Sequence, residues 1–292
     1  MLKEYATILL EEIDSVSILK LNRPEKLNAF NMQMLEDMLD AIDYVNKNDN
    51  IKSLVITGTG KAFCAGADLS FGEKTFDKSF DTNADYKSDF MRDAGGILNL
   101  KIYNSLKPVI AACNGDAVGI GATMQLPADA RIASENSRFG FVFAKRGIVP
   151  DGCASWFLPK IVGIPMALEL CYSGKIIDST EAHRIGLVNY LVEDDNLISK
   201  AIKISNMFCN STAPVSVAMT RHMLWSLSAE DNPEHAHIIE SKLINSRGAS
   251  DDAKEGVMSF LEKRNASFKN KISSDLPNDF PWRESQFEEK NR

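Results

Sequence analysis

Short unbroken apolar runs alternate along this chain with stretches in which apolar residues recur every three or four positions. "SVSILKLNRP" (15–24) reads as a strand that stops at Pro24. "NMQMLEDMLDAIDYVNK" follows with a cap at Asn31 and sets Met34, Leu35, Met38, Leu39, Ile42 and Val45 on one face of a helix. "IKSLVITG" (51–58) and "KPVIAACNG" (107–115) are buried strands, the latter closing on an Asn-Gly turn, and "ARIASENSRFGF" (130–141) supplies a fourth. From about 155 the pattern is mainly helical: "SWFLPKIVG", "PMALELCYSG", "STEAHRIGLV", "NLISKAIKISNMFCNST" and "PVSVAMTRHMLWSLS" are separated by Gly, Pro and Asn. No internal repeat of fixed period is visible. The expected class is α/β.

Two segments break the pattern. Residues 70–96 mix Lys and Asp with isolated aromatics and end in Gly95-Gly96, which reads as a flap that is either a solvated excursion or a lid over a site. Residues 271–292 are polar with two prolines and read as a tail lying on the surface.

A chain of 292 residues, 44% hydrophobic and 25% charged, builds one large domain or a domain with a helical appendage. Its longest apolar runs, "SLVIT" and "PVIAAC", fall far short of the roughly 20 residues a bilayer span needs. Acids at 11, 12 and 14 follow the first apolar patch with no small-residue cleavage site, so the expected compartment is the cytoplasm. The net charge of −7 disfavours a general nucleic-acid binder while leaving room for a local basic pocket. Five cysteines, none in a CxxC pair, argue against a disulfide framework or a zinc site.

The chemistry sits in two glycine-rich strand ends, "CAGAD" (64–68) and "NGDAVGIGATMQ" (114–125). A helix starting near Gly121 leaves its first backbone N–H groups without partners, and a second N–H at Ala67 aimed at the same point would complete a cradle for a developing oxyanion. Small side chains permit that close approach. Tight packing is an equally available reason for such turns. A nucleotide phosphate loop is disfavoured, because "GDAVGIG" fits neither GxGxxG nor GxxxxGK[ST].

The motif set resembles the crotonase, or enoyl-CoA hydratase/isomerase, superfamily over residues 5–270. "LNRPEKLNAFN", "GKAFCAGADL", "KPVIAACNGDAVGIGATMQLPADARIAS", "RFGF", "GIVPDGCASWFLPKIVG", "EAHRIGLV" and "FLEKR" stand in that family's order and at its spacing. The resemblance implies a spiral of ββα units carrying acyl-CoA binding and catalysis over 1–200, with the flap at 70–96. It further implies a helical trimerisation region over 201–270 and a homo-oligomer, trimer or dimer of trimers. It places the two oxyanion N–H groups on Ala67 and Ile120. Coenzyme A contacts carry over to Lys26, Leu27, Ala65, Asp68 and Leu69, and Phe260 and Lys263 match positions that reach a neighbouring subunit's ligand. Gly119, Thr123 and Phe143 fall at substrate-binding positions of the same motifs.

One departure redirects the expected chemistry. Hydratases of this family carry two glutamates that position water; here those positions read Thr123 and Phe143. Asp151, in "GIVPDGCASW", occupies a position where isomerases that move a double bond, and some relatives of other chemistry, carry an acid. In isolation an Asp between Pro and Gly is a turn residue. Among Ile148, Val149, Pro150 and Trp156, an apolar setting would raise its pKa to suit proton transfer.

The expected function is therefore a Δ3-to-Δ2 enoyl-CoA isomerase with Asp151 as single acid/base and an acyl-CoA thioester as substrate. A hydratase using Asp151 and an ordered water, a nucleophilic Asp151, and a silent acyl-CoA-binding protein are the alternatives; an RNA-binding relative is disfavoured by charge. No metal or redox cofactor is expected, and none of the four histidines lies in the glycine-rich strand ends or the Asp151 motif.

Overall fold

In the computed structural model, which describes residues 4–77, 92–278 and 280–282, the chain opens with a hairpin of β1 (Ile8–Ile13) and β2 (Val16–Leu21). β1 was not expected: its alternation buries Ile8 and Leu10 but leaves Leu9 and Ile13 41% exposed, and the acids around it read as a surface segment. In α1 (Met32–Lys47) the Asn31 side chain accepts the Met34 N–H at 2.9 Å, while Met34, Leu35, Met38, Ile42 and Val45 are buried as their spacing required.

Strands then arrive in pairs. β3 (Ser53–Gly58) is followed by β4 (Ala62–Cys64) and α2 (Ala94–Tyr103); β5 (Val109–Cys113) by β6 (Asp116–Val118) and α3 (Ile120–Thr123); β7 (Ala130–Ser134) by β8 (Arg138–Gly140), α4 (Ala154–Val162) and α5 (Ile164–Ser173). The first strand of each pair joins a six-stranded sheet, β1-β2-β3-β5-β7 with β10 (Tyr190–Val192) at its edge. The second joins a four-stranded sheet, β4-β6-β8 with β9 (Ile176–Asp178) at its edge. The result is a spiral of ββα units. Its repeat is invisible in the sequence because the helix of each turn differs in length, ten residues in α2 and four in α3.

The 130–141 stretch is therefore two strands rather than one, divided where Ser137 N–H bonds the Ser134 carbonyl at 3.0 Å so that β8 passes to the other sheet. The flap's expected end is displaced too. Gly95 and Gly96 lie in the first turn of α2, and residues 78–91 of the flap fall outside the described residues.

The parallel strands β3, β5 and β7 at the centre of the large sheet are buried on both faces. One face carries Leu19, Leu54, Ile56 and Ala111 into the core shared with α1 and the small sheet. The other presents Ile18, Val55, Ile110 and Ile132 to Leu197, Ala201 and Ile204 of α7 (Leu197–Cys209), after α6 (Ser179–Arg184) has returned the chain.

Beyond it come α8 (Pro214–Leu227), α9 (Pro233–Gly248), α10 (Asp251–Leu261) and α11 (Ile272–Asp275). Leu276, Phe280 and Trp282 pack on Val215, Met219, Ile239 and Leu243, so the expected tail is tied down as far as Trp282; its last residues, 283–292, lie outside the described residues. No helix among the described residues is long and apolar enough to cross a membrane.

Candidate active site

Parallel pairing of β4 with β6 brings the two glycine turns side by side. Gly66 (φ +116°) follows β4 and Gly119 (φ +55°) follows β6, both in backbone conformations that side-chain-bearing residues rarely adopt. A Cβ on Gly121 would stand 2.0 Å from the Cys64 carbonyl oxygen, so the approach of α3 to β4 requires glycine there.

The chain at 66–68 runs extended beside Phe30, whose N–H donates to Gly66 O and whose carbonyl accepts from Asp68 N–H, each at 2.8 Å. In an extended segment alternate N–H groups point to opposite sides, so Ala67 N–H faces away from Phe30. Ala67 and Ile120 line one cavity, and among the described residues neither N–H has a hydrogen-bond acceptor. α3 is a single turn, too short to sum a helix dipole, so the donors are individual N–H groups.

Asp151 lines the same cavity with Ile120, Phe143 and Ile148. Burial pushes its carboxyl up to about 7; the Thr123 hydroxyl, donating to Oδ1 at 2.7 Å, works against that shift, and the Asp93 charge adds to it. The apolar setting differs from the expected one. Ile148 belongs to it, but Val149 is 79% exposed, and Trp156 turns away to join Tyr103, Phe157 and Trp225 in an aromatic cluster.

The turn bearing Asp151 is clamped from α2. Asn99 Nδ2 donates to the Thr123 carbonyl at 2.8 Å and to the Gly152 carbonyl at 2.5 Å, and Asp93 Oδ2 accepts the Gly152 N–H at 2.8 Å. A Cβ on Gly152 (φ +62°) would stand 2.8 Å from Thr123 Oγ1 and 2.9 Å from Asn99 Nδ2, so this close approach also requires glycine. Neither Asn99 nor Asp93 was singled out from the sequence. The available signal for Asn99 was a polar residue inside the apolar run "GGILNLK".

The other expected site residues divide. Ala65, Leu69, Gly119 and Phe143 line the cavity. Thr123 does not: it is fully buried and faces Asp151 instead of the substrate space, which corrects its expected role. The Asp68 carboxylate is held by Ser70 and by Arg23 at 2.8 Å, which together push it down to about 2. Lys26 and Leu27 are exposed beside it, and Ala65 N–H bonds the Leu27 carbonyl at 3.0 Å. Phe260, 82% exposed on α10, and Lys263 do not line the cavity within one chain.

A roomier groove of about 940 Å3 runs between α4 and α8. Its acid, Asp129, is occupied by Arg221 Nε at 2.8 Å, Trp225 Nε1 at 3.1 Å and the Val109 N–H at 2.7 Å, a structural arrangement.

The family model for enoyl-CoA hydratase/isomerase matches residues 11–271. The chain belongs to this family. It is 36% identical to an enoyl-CoA hydratase of Alternaria alternata over 88% of this chain and 84% of that protein. It is 33% identical to a 1,2-epoxyphenylacetyl-CoA isomerase of Escherichia coli over 88% of this chain and 95% of that one. An enoyl-CoA hydratase crystal structure from Bacillus anthracis superposes with a TM-score of 0.80 at 28% identity, covering 90% of this chain and 99% of that one. The fold of this family member is accordingly the crotonase-type spiral, and relatives named hydratase and isomerase stand close together around it.

At the two positions where the resemblance led us to look for hydratase glutamates, this family member has no acid: Thr123 is buried against Asp151, and Phe143 is an apolar wall 3% exposed. Among the described residues that line the cavity Asp151 is the only carboxylate.

Proposed function

We propose that this enzyme moves the double bond of a 3-enoyl-CoA to the 2-position, with Asp151 as the single acid/base. A carboxyl with a pKa near neutrality, the one acid among the described residues of a cavity it shares with two unengaged backbone N–H groups, carries the reading.

The thioester oxygen accepts hydrogen bonds from Ala67 N–H and Ile120 N–H. The Asp151 carboxylate takes a proton from C2, which is both α to the carbonyl and allylic, and the electron pair spreads to the oxygen as a dienolate. The protonated Asp151 then delivers the proton to C4, leaving the double bond between C2 and C3 and the carboxylate as it began. Each oxyanion donor contributes about 3 kcal/mol to such a step and the acid/base about two to four powers of ten in rate. The cycle calls for no second acid, which is what Thr123 and Phe143 leave.

Names of relatives favour a second reading, hydration of a 2-enoyl-CoA. Hydration needs one group to activate water and another to protonate the α-carbon. Incubation with a 3-enoyl-CoA, followed by chromatography against authentic 2-enoyl-CoA and 3-hydroxyacyl-CoA, tests the choice. Conversion to the 2-enoyl-CoA supports the isomerase; inertness toward it, with 3-hydroxyacyl-CoA formed from the 2-enoyl-CoA, overturns it.

A further inference from the structure

We infer that Asp93 is a positioning residue for Asp151, acting through the Gly152 N–H and through its own charge. The inference rests on the reading of Asp151 as the acid/base but is testable apart from it.

Asp93 is the cap of α2. Its Oδ1 accepts from Gly95 N–H at 3.1 Å and its Oδ2 from Gly96 N–H at 2.7 Å, the ordinary duties of a capping aspartate. The third bond is of another kind. Oδ2 also accepts, at 2.8 Å, the N–H of Gly152, which is 59 residues distant and next to Asp151. One carboxylate therefore ties the start of a helix to the peptide that follows the acid/base.

The surrounding contacts are close enough for this tie to set geometry. A Cβ on Gly95 would lie 2.6 Å from Ile120 Cδ1 and 3.5 Å from Asp151 Cγ, so the first turn of α2 sits against both an oxyanion residue and the acid. Gly152 (φ +62°) and Cys153 (φ +54°) are successive left-handed residues, a turn that relies on external bonds to hold it. Asp93 does not line the cavity, so it acts through Asp151 and not on substrate.

The same placement sets two carboxylates near each other across the turn, Asp93 on its exposed side and Asp151 half-buried. Burial is the larger cause of the raised Asp151 pKa, and the Asp93 charge adds to it. Other groups around Asp151 do not duplicate this role. Thr123 stabilises the ionised form, Cys64 and Cys153 are thiols whose own pKa values are raised, and Arg146, the single cation among the described residues lining the cavity, is not a cause of the Asp151 shift. Asp93 thus holds the turn that aims Asp151 and adds to the basicity that burial gives it.

The test is direct titration of Asp151 by NMR of protein carrying 13C at the aspartate carboxyls, with the resonance assigned by its loss in Asp151→Asn. In Asp93→Asn, which keeps an acceptor oxygen for α2 but no charge, the Asp151 midpoint should fall, by less than about one pH unit because Asp93 is exposed to solvent. The acid limb of kcat/KM for 3-enoyl-CoA isomerisation should move down with it, and the plateau above that limb should fall as the base weakens and the turn loses its hold on Asp151. Should Asp93→Asn fail to fold, Asp93→Ser retains a good helix cap without charge and should show the same downward movement. An unmoved midpoint in the folded variant overturns the inference and leaves Asp93 a helix cap. If the midpoint falls but Asp151→Asn isomerises at the wild-type rate, the coupling of the two aspartates stands and the isomerase reading fails.

Discussion

The Thr123 hydroxyl donates to Asp151 Oδ1 at 2.7 Å, across 28 residues of sequence, from one of the positions where a glutamate was sought and not found. A donor there favours the ionised carboxylate and limits how far burial raises its pKa. A bond to a charged acceptor is worth about 1.5–3 kcal/mol, so Thr123→Val should raise the Asp151 midpoint by about one to two pH units. The pH profile of kcat/KM reads this as an acid limb moved upward. A profile that falls in height without moving would contradict the assignment of that limb to Asp151.

Asp151→Asn removes the proton carrier while keeping size and polarity. Its kcat should fall by about 10²–10⁴, with acyl-CoA binding retained in a calorimetric titration.

The same variant has a stability signature. A folded pKa of about 7, above the ordinary 3.8, means that the folded state holds this proton more tightly than the unfolded chain. The associated stability is fully present below about pH 4 and is lost as pH rises through about 7. Urea titrations at pH values spanning about 4 to 8 should therefore show wild type losing stability relative to Asp151→Asn up to about pH 7 and no further change above it.

Gly119 holds the peptide that presents Ile120 N–H, with φ +55° and ψ −123°. Gly119→Ala should cost about 1–3 kcal/mol in strain. The chain relieves that strain by turning the 119–120 peptide, which removes one oxyanion donor and lowers kcat about 10²–10³. Denaturant melts and steady-state kinetics on the same preparation separate the two effects.

Parts of this fold were legible because local rules and tertiary packing agree. The Asn31 cap, the α1 face and the doubly buried β3 and β5 follow from periodicity alone. β1 was missed because only Ile8 and Leu10 are buried among acids, and the division of 130–141 was missed because a change of sheet leaves no mark on an apolar run. The spiral came from motif resemblance, since helices of unequal length hide its repeat.

The candidate site divides in the same way. Glycine-rich strand ends and the Pro-Asp-Gly turn were readable, whereas Asp93 and Asn99 were not. Their roles depend on α2 lying across the 151–152 turn, a contact between residues more than 50 positions apart. Trp156, four residues past Gly152, looked like a wall of the site and belongs to the aromatic cluster of α4 and α8.

The central claim is that one carboxyl moves one proton between two carbons. Mass spectrometry of the product formed from a 3-enoyl-CoA in D2O measures this most directly, with Asp151→Asn as control. The expected product is a 2-enoyl-CoA of unchanged heavy-atom mass that carries at most one deuterium, at C4, gained only where the Asp151 proton exchanges with solvent before delivery, with turnover lost in the variant. A product heavier by one water, or undiminished turnover in Asp151→Asn, would contradict it.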